Sequence, residues 1–322
     1  MKYWLIIFFI VNIGFGVHRI GANDYPNRPI RMIVPIAPGG GTDVIARFAG
    51  QVLSLAWKQP VIIDNRPGAG GIIGMRMASQ APPDGYTLVT GNIGSISITP
   101  SLYRSAHFDT LRDFEPVCLL ATAPIALVSS HLIKELMVKD LIEAMKQKPE
   151  RFSIASSGIG QSTHLAAELF RLKAGIKSAI VPYRGAAPAI TDLLANNVQL
   201  IFDATQALPY VKSGKLRAMA VTTEKRSEFY PGVPTMAEAG MNDFIVSSWF
   251  GVLAPKGIPR SIIEKLSHQL MAEMPSVQIK QTLHDTLMSE VSVNTPNDFR
   301  SFISKEIIRW RQLIQTANLQ VQ

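Results

Sequence analysis

The sequence predicts a two-lobed α/β protein in which each lobe is a mainly parallel sheet flanked by helices. The chain has 322 residues, which is more than one hydrophobic core usually supports. From residue 28 onward, short β-branched runs alternate with glycine-rich loops and amphipathic helices. The same order of elements recurs in the middle of the chain, which indicates two similar lobes.

The first half of the chain supplies one set of these elements. Strands are predicted where β-branched residues are concentrated between Gly/Pro loops, over residues 30–35, 61–64 and 86–90. The next helix is predicted from apolar residues at helical spacing, namely Val44, Phe48 and Val52 with Ile45, Ala49 and Leu53 beside them. Thr42 or Asp43 is expected to cap the start of this helix.

The middle of the chain repeats this order. Strands are predicted over residues 152–155, 179–182 and 198–202. Leu165, Leu169 and Leu172 form the apolar stripe of a helix that follows a Gly/Ser loop. Strands that alternate with helices in this way predict parallel pairing within each lobe.

Two segments are predicted to cross between the lobes, near residues 122–126 and 246–251. The second segment is too apolar for a free linker and is expected to be a strand. Helices that would return to the first lobe are predicted over residues 259–273, 275–286 and 296–317. Lobe 1 is therefore expected to comprise residues 23–123 plus 248–322, and lobe 2 residues 124–247. A chain that crosses twice makes a hinge with a cleft, where ligands commonly bind.

Composition excludes several classes of protein. Hydrophobic residues make up 47% of the chain and charged residues 17%, which is typical of a globular protein and not of a disordered one. The net charge of +8 is spread over single basic residues and pairs, so the concentrated basic face of a nucleic-acid-binding protein is not expected. Cys118 is the only cysteine, which excludes an intrachain disulfide and a cysteine-based zinc site. Its apolar neighbours predict a buried strand residue.

The N-terminus has the pattern of a secretory signal, because Lys2 precedes a short apolar run over residues 5–17. Cleavage after Ala22 would place a small residue at the cut, although Ile20 is larger than the residue usual at that position. Residues 1–22 are therefore expected to be a signal peptide, and the mature protein is expected in the periplasm. An uncleaved membrane anchor is the alternative, which the shortness of the apolar run disfavours.

Two glycine-rich loops, at residues 38–43 and 156–164, each lead from a predicted strand end into a helix. The first amides of a helix lack intrahelical acceptors and lie at the positive end of its dipole, so they bind anions without a basic side chain. Hydroxyl groups in these loops add neutral donors that suit a carboxylate, on Thr42, Ser157, Ser162 and Thr163. The alternative is that both loops only turn the chain and cap their helices. Their presence in both predicted lobes favours a binding site.

Polar residues at other strand ends could contact the same cleft. Tyr183 and Arg184 follow a predicted strand, at the edge where open α/β sheets place ligands. Arg184 could instead form a surface salt bridge. Asp203 could orient ligand or water, or could cap the helix that follows it.

Motifs for nucleotide binding, nucleophilic catalysis and metal binding are not found. The first loop does not end in the Gly-Lys-Ser/Thr of a P-loop, and the other glycine runs lack the final small residue of the dinucleotide fingerprint. There is no Gly-x-Ser-x-Gly elbow, and no third residue can be named beside Ser162 and His164. His164 and Glu168 are four residues apart, a spacing more typical of a helix-surface contact than of a metal site. No metal and no cofactor are expected.

Ordered motifs from about residue 25 to residue 319 match one known family. In the first lobe they include Ala37-Pro38-Gly39-Gly40-Gly41-Thr42-Asp43, Asn65-Arg66-Pro67-Gly68-Ala69-Gly70-Gly71, Pro83-Asp84-Gly85-Tyr86-Thr87-Leu88 and Gly91-Asn92. Later motifs include Ala155-Ser156-Ser157-Gly158, Val181-Pro182-Tyr183-Arg184-Gly185, Phe202-Asp203 and Ser248-Trp249-Phe250-Gly251. The chain resembles the Bug-type extracytoplasmic solute receptors, the substrate-binding components of tripartite tricarboxylate transporters.

This resemblance implies a periplasmic-binding-protein (Venus flytrap) fold, no cofactor, and delivery of a solute to a membrane permease. It also implies that one loop from each lobe holds a carboxylate, partly through water. The residues that correspond to these loops are Pro38, Gly39, Gly40 and Thr42, and Ser157, Ser162, Thr163 and His164. The predicted ligand-binding set is completed by Asp43, Asn92, Tyr183, Arg184 and Asp203. Ile36 and Arg184 depart from the aromatic residue and the Lys that are common at these positions, so the identity of the solute does not transfer.

We therefore expect a monomeric, non-enzymatic binding protein for a small carboxylate. A secreted hydrolase is one alternative, and a receptor that presents its ligand to a membrane sensor kinase is another. The sequence does not distinguish an aromatic acid, an amino acid, a nicotinate-like ring and a di- or tricarboxylate as the solute.

Overall fold

The computed structural model of the chain describes residues 25–319, and the predicted signal peptide lies outside the described residues. The strands are β1 (Ile30–Val34), β2 (Val61–Asn65), β3 (Thr87–Asn92), β4 (Phe114–Pro124), β5 (Ala126–Ser130), β6 (Ser153–Ser156), β7 (Ala179–Pro182), β8 (Leu200–Asp203), β9 (Leu216–Val221), β10 (Ser247–Pro255) and β11 (Glu290–Val291). The helices are α1 (Gly41–Trp57), α2 (Ile72–Ser79), α3 (Thr99–Leu102), α4 (Thr110–Asp113), α5 (Val138–Gln147), α6 (Ser162–Ala174), α7 (Ala186–Leu194), α8 (Leu208–Lys212), α9 (Arg260–Glu273), α10 (Val277–Leu287) and α11 (Pro296–Thr316). None of these helices combines the length and the apolar character that crossing a membrane would require.

Residues 25–319 form two sheets, one in each lobe. The first has the strand order β11-β4-β10-β3-β1-β2, and the second has the order β7-β6-β8-β5-β9. β1 pairs in parallel with β2 and β3, and β6 pairs in parallel with β7 and β8. The remaining pairs are antiparallel, so both sheets are mixed. The predicted two-lobed α/β architecture is confirmed, but the sheets are not mainly parallel, because the strands at the crossovers, β4, β5 and β10, run antiparallel to their neighbours.

Helix α1 shows how the sequence pattern sets the layers. The face of α1 that packs on the sheet contains Ile45, Ala49 and Leu53, all fully buried, whereas Val44 and Phe48 are only partly buried. The apolar spacing therefore predicted the helix correctly. The most buried stripe, however, contains Ile45 and not Val44. The predicted cap was wrong. Gly40 is the N-cap residue and has no side chain to form a cap hydrogen bond, whereas Thr42 and Asp43 lie within the first turn.

The chain passes between the sheets at both predicted crossovers. β4 belongs to the first sheet and ends at Pro124, whereas β5 belongs to the second sheet and begins at Ala126. Thr222 joins the two crossovers, since its amide and its hydroxyl donate to the Ile125 carbonyl at 2.8 and 2.9 Å. Its own carbonyl accepts from the Val246 amide at 2.9 Å. We propose that the lobe boundaries are those that the sequence predicts.

Buried residues of β4, β10 and α11 anchor the second crossover in lobe 1. Cys118 on β4 is fully buried, as predicted. Trp249 on β10 and Trp310 on α11 are also fully buried, and their indole N–H groups donate to the same Glu306 oxygen, Oε2, at 3.1 and 2.9 Å. A buried indole N–H needs an acceptor, so Glu306 fixes the C-terminal helix to the strand that returns from lobe 2.

We expect Glu306→Ala to lower the free energy of unfolding by about 2 kcal/mol, because two buried indole N–H groups lose their acceptor. Urea unfolding followed by circular dichroism measures this change. The control is Glu264→Ala, which removes an exposed ion pair with Arg260 and should cost no more than about 0.5 kcal/mol. Equal losses in the two variants would contradict the anchoring role of Glu306.

Candidate functional site

Both glycine-rich loops lie at the carboxyl edge of the parallel strands in their sheet. Residues 35–40 join β1 to α1, and residues 157–161 join β6 to α6. The crossovers lie at the same edges, because Asn92 at the end of β3 pairs with Phe250 near the start of β10, and β8 ends beside the start of β5. Open α/β sheets bind ligands at their carboxyl edges, and here these edges border the hinge.

Asp43 holds the first loop in shape. Its carboxylate accepts hydrogen bonds from the Gly39 amide at 2.9 Å, the Asn65 side chain at 2.9 Å and the Arg47 guanidinium at 3.0 and 3.1 Å. Only 2% of Asp43 is exposed. Burial acts to raise the pKa of Asp43, but the hydrogen bonds outweigh burial and hold the pKa below its ordinary value. The carboxylate is therefore ionised and satisfied within the loop, and a direct contact with ligand stays a prediction.

The rest of the first loop offers mainly backbone groups. Pro38 and Gly39 are exposed, and Gly39 has a φ of 84°, which favours glycine. A Cβ atom on Gly40 would lie 2.8 Å from Cδ1 of Ile36, so Ile36 covers this position. The amide of Thr42 lies in the first turn of α1, where no intrahelical acceptor exists. This arrangement suits an anion that binds to amide groups.

Thr42 and Asn92 are brought together from neighbouring strands. Nδ2 of Asn92 donates to the Thr42 hydroxyl at 3.2 Å. Asn92 and Ser95 close a tight turn, in which Oδ1 of Asn92 accepts from the Ser95 amide and the Ser95 hydroxyl accepts from the Asn92 amide, both at 3.0 Å. The sequence reasoning missed Ser95. The Asn-x-x-Ser spacing after a strand is the signal that could have identified it.

Ser157 and Thr163 close the second loop. Their hydroxyl oxygens are 2.6 Å apart, and the Ser157 amide also donates to Oγ1 of Thr163 at 3.2 Å. Gly160 has a φ of 78°, which favours glycine. Gln161 is the N-cap of α6 and makes no side-chain cap hydrogen bond, so the first-turn amides of Ser162 and Thr163 have no intrahelical acceptor. The two loops thus present the same kind of uncapped helix start.

His164 lies in the first turn of α6 and is neutral. It is 8% exposed, its Nε2 is 4.0 Å from Oε1 of Glu168, and its Nδ1 has no hydrogen-bond partner within residues 25–319. Arg171 donates to Glu168 at 2.9 Å. Burial, together with the charge of Arg171, lowers the pKa of His164 to about 4. The pair His164–Glu168 is therefore buried and not at the helix surface. Among the described residues, no hydrogen bond joins His164 to the hydroxyl of Ser162.

We expect His164 to destabilise the protein as the pH falls from about 6.5 toward 4. The folded-state pKa is lowered, so the unfolded chain binds a proton in this window that the folded protein excludes. The stabilising contribution is complete above pH 6.5 and decreases with acidification, by roughly 3 kcal/mol in total. Urea unfolding at neutral and acidic pH measures it.

Two variants isolate the contribution of this histidine. His164→Gln should lose part of the acid sensitivity that wild type shows. His268→Gln changes an exposed histidine and should keep all of it. The same pH dependence in all three proteins would exclude His164 as its source.

The hydroxyl of Tyr183 is occupied by its own lobe, because it donates to Oδ2 of Asp192 at 2.6 Å. Burial, with the hydrogen bond and charge of Asp192, raises the pKa of Tyr183 to about 12. The Tyr183 amide donates to the Ser156 carbonyl at 3.0 Å. Tyr183 therefore lies beside the second loop, and its contact with ligand stays a prediction.

Arg184 follows directly and forms no such hydrogen bond among the described residues. The Gly185 amide donates to the Ser157 carbonyl at 3.1 Å, which fixes the backbone of Arg184 next to the second loop. The Arg184 side chain is exposed, and within the part of the chain that the structure describes it makes no hydrogen bond or ion pair. The alternative of a surface salt bridge is therefore not formed among those residues. Arg184 is a cation that remains available beside the loop.

Asp203 is 2% exposed at the end of β8. Its Oδ2 accepts from the Ala207 amide at 2.7 Å. Burial raises the pKa of Asp203 above its ordinary value, although the amides of residues 204–207 act to lower it. Ala207, and not Asp203, is the N-cap residue of α8, so Asp203 shapes the loop before that helix and does not cap it as one of the two alternatives held. A contact with ligand remains a prediction.

No group of three or more His, Cys, Asp or Glu side chains in residues 25–319 is placed to hold a metal ion. The groups left for a ligand at the carboxyl edges include loop amides, hydroxyls and the guanidinium of Arg184, which has no partner among residues 25–319. Such groups bind carboxylates by hydrogen bonding and charge.

A family model and a curated relative both match the sequence of this chain over most of its length. The family model described as "Tripartite tricarboxylate transporter family receptor" matches residues 45–319. Protein BugT of Bordetella pertussis is 35% identical over 316 residues, which covers 98% of this chain and 96% of BugT. The Bug-type resemblance is confirmed.

Solved structures extend this result to the fold. The periplasmic binding protein BugD is 33% identical with a TM-score of 0.79, covering 92% of this chain and 100% of BugD. R. palustris Rpa4515 with adipate is 34% identical with a TM-score of 0.82, covering 92% of this chain and 99% of that protein. The predicted periplasmic-binding-protein fold is confirmed.

Proposed function

The chain belongs to the tripartite tricarboxylate transporter receptor family, and from this premise we propose that it is a periplasmic solute-binding protein. It binds a small carboxylate between its two lobes and delivers it unchanged to the permease subunits of a tripartite transporter. It acts as a monomer after its signal peptide is removed near Ala22.

The observation that supports this proposal most is that the loop before α6 approaches the segment of lobe 1 that follows Asn92, the partner of Thr42. Thr42 in the first turn of α1 bonds to Asn92, and Gly94 follows two residues later. A Cβ atom on Gly94 would lie 3.2 Å from the carbonyl oxygen of Gly160, in the loop before α6. The two helix starts therefore belong to segments that lie close together, as a site shared between the lobes requires. Each helix start contributes amide donors and the positive end of a dipole.

A dicarboxylate is the class of solute that these groups suit best. The loop amides and the hydroxyls of Thr42, Ser157 and Thr163 suffice for one carboxylate. Arg184 adds a full positive charge beside the second loop, and a guanidinium binds a second carboxylate in a bidentate manner. The relative Rpa4515 has adipate, a dicarboxylate, in its solved structure.

Calorimetric titration tests the proposed function. Adipate, malate, citrate, benzoate and glutamate are titrated into the mature protein, with the corresponding amide or methyl ester of each acid as its control. We expect saturable binding of at least one acid, one molecule per chain, with little binding of its uncharged control. Nuclear magnetic resonance of the recovered acid should show no chemical change. Equal binding of acid and control, or conversion of the acid, would refute the proposal.

A further inference from the structure

The second loop packs on a short segment of lobe 1 that lies outside the ligand-binding set. A Cβ atom on Gly160 would lie 3.0 Å from Cδ2 of Leu102 and 3.6 Å from Cε2 of Tyr103. Leu102 is 1% exposed and Tyr103 is partly buried. Because Gly160 has a φ of 78°, a larger residue there would be strained as well as crowded.

Glycine also allows close approach on the lobe 1 side. A Cβ atom on Gly94 would lie 3.2 Å from the Gly160 carbonyl oxygen and 3.6 Å from Oε1 of Gln161. Gly94 opens a π-helical turn over Gly94–Ile98, an irregularity that often accompanies functional sites. A Cβ atom at position 94 would require the Gly160 carbonyl to shift by a few tenths of an ångström, whereas a long side chain would hold the two backbones apart.

Tyr103 also packs within lobe 1. A Cβ atom on Gly70 would lie 3.2 Å from Cε2 of Tyr103, so the ring packs against the loop that contains Gly70. The hydroxyl of Thr99 donates to the Gly70 carbonyl at 3.0 Å and fixes that loop. Burial raises the pKa of the Tyr103 hydroxyl above its ordinary value, so the group is uncharged at neutral pH. The ring thus forms an apolar surface of lobe 1 against which Gly160 of lobe 2 packs.

We infer that Gly94, Leu102 and Tyr103 of lobe 1, with Gly160 and Gln161 of lobe 2, form an interlobe latch. The latch makes its contacts only in the closed form and makes none to the solute. It therefore favours closure and slows solute release, since contacts unique to one conformation shift the equilibrium toward it. This inference rests on the proposed function, because closure around a solute is what the latch would stabilise.

Disulfide trapping tests the latch without any ligand. In the double variant Gly94→Cys/Gln161→Cys, mild oxidation should form an intramolecular disulfide, which mass spectrometry detects after tryptic digestion. The native Cys118 does not compete, because it is buried and burial raises its pKa to about 12. Single-cysteine variants control for disulfides between chains. Failure of the folded double variant to form this disulfide would overturn the latch.

The contribution of Tyr103 is measured in the same assay. Adding Tyr103→Ala should slow disulfide formation about fivefold or more, as expected for the loss of one buried aromatic contact between the lobes. Tyr103→Phe keeps the ring and should form the disulfide at the unmodified rate. Arg260→Gln removes an exposed ion pair of lobe 1 far from these contacts in sequence and should have little effect. An unchanged rate with Tyr103→Ala would also refute the latch.

Solute release gives a second measurement in chains that keep their native cysteine only. For an acid that binds in the calorimetric titration, Tyr103→Ala should raise the dissociation rate about fivefold, whereas Tyr103→Phe should not change it. If no acid binds wild-type protein, the proposed function fails, and disulfide trapping still decides whether the latch forms. If an acid binds and Tyr103→Ala releases it at the wild-type rate, the latch fails and the proposed function stands.

Discussion

Replacement of Asp43 by Ala is expected to weaken carboxylate binding about 100-fold. The Gly39 amide, the Asn65 side chain and the Arg47 guanidinium all donate to this buried carboxylate. Without Asp43 the first loop loses the group that sets its shape, so the amides at the start of α1 are no longer aligned. Loss of the same hydrogen bonds should lower the free energy of unfolding by about 2 kcal/mol. Calorimetry and urea unfolding measure the two effects.

The control for Asp43→Ala is Asp84→Ala. Asp84 is paired with Arg28 at 2.8 Å and precedes β3, at the edge of the sheet opposite the first loop. This variant should bind the acid as wild type does. A loss of affinity in Asp43→Ala without any loss of stability would show that Asp43 contacts the solute directly. An unchanged affinity would show that the first loop does not form the site.

Replacement of Arg184 by Gln is expected to weaken binding of a dicarboxylate about 50-fold, since a charged hydrogen-bonded pair is lost. The guanidinium is exposed beside the second loop and has no partner within residues 25–319. A monocarboxylate of similar length would bind only at the loop amides and should lose little affinity. Titration of adipate and hexanoate into both proteins separates the two cases.

Arg226→Gln is the matched control for Arg184→Gln. Arg226 is also an exposed arginine of lobe 2, but it is paired with Glu238 at 2.9 Å. It should leave the affinity for both acids unchanged. An equal loss for adipate and hexanoate in Arg184→Gln would mean that Arg184 acts through the general positive potential of the lobe. No loss for either acid would exclude Arg184 from the site.

The order of elements could be predicted because it depends on local patterns. The strand at residues 179–182 and the helices at the C-terminus follow from β-branched runs and helical spacing, and they lie within a few residues of their predicted bounds. The two glycine-rich loops were also predictable, since glycine before a helix start is a local signal. Local patterns do not specify strand order, so the antiparallel pairing of the crossover strand β10 with β3 and β4 could not be inferred from them.

Contacts between distant residues account for what the sequence did not predict. The role of Asp43 depends on Asn65, which reaches it from the end of β2. The approach of Gly94 to Gly160 depends on how the two lobes are arranged, and it cannot be predicted from the spacing of residues along the chain. Asp203 was predicted only as a ligand contact or a helix cap, because the loop amides that set the direction of its side chain at the strand end cannot be inferred from spacing.

Small-angle X-ray scattering of the mature protein, with and without a saturating acid from the calorimetric panel, tests the central claim that a carboxylate is held between the two lobes. The saturated protein should give a smaller radius of gyration than the free protein, and its profile should match the structure described here. A ligand changes this equilibrium only through contacts that it makes better in the closed form, and the two loops supply such contacts. Identical profiles for the free protein and the saturated protein would contradict the claim.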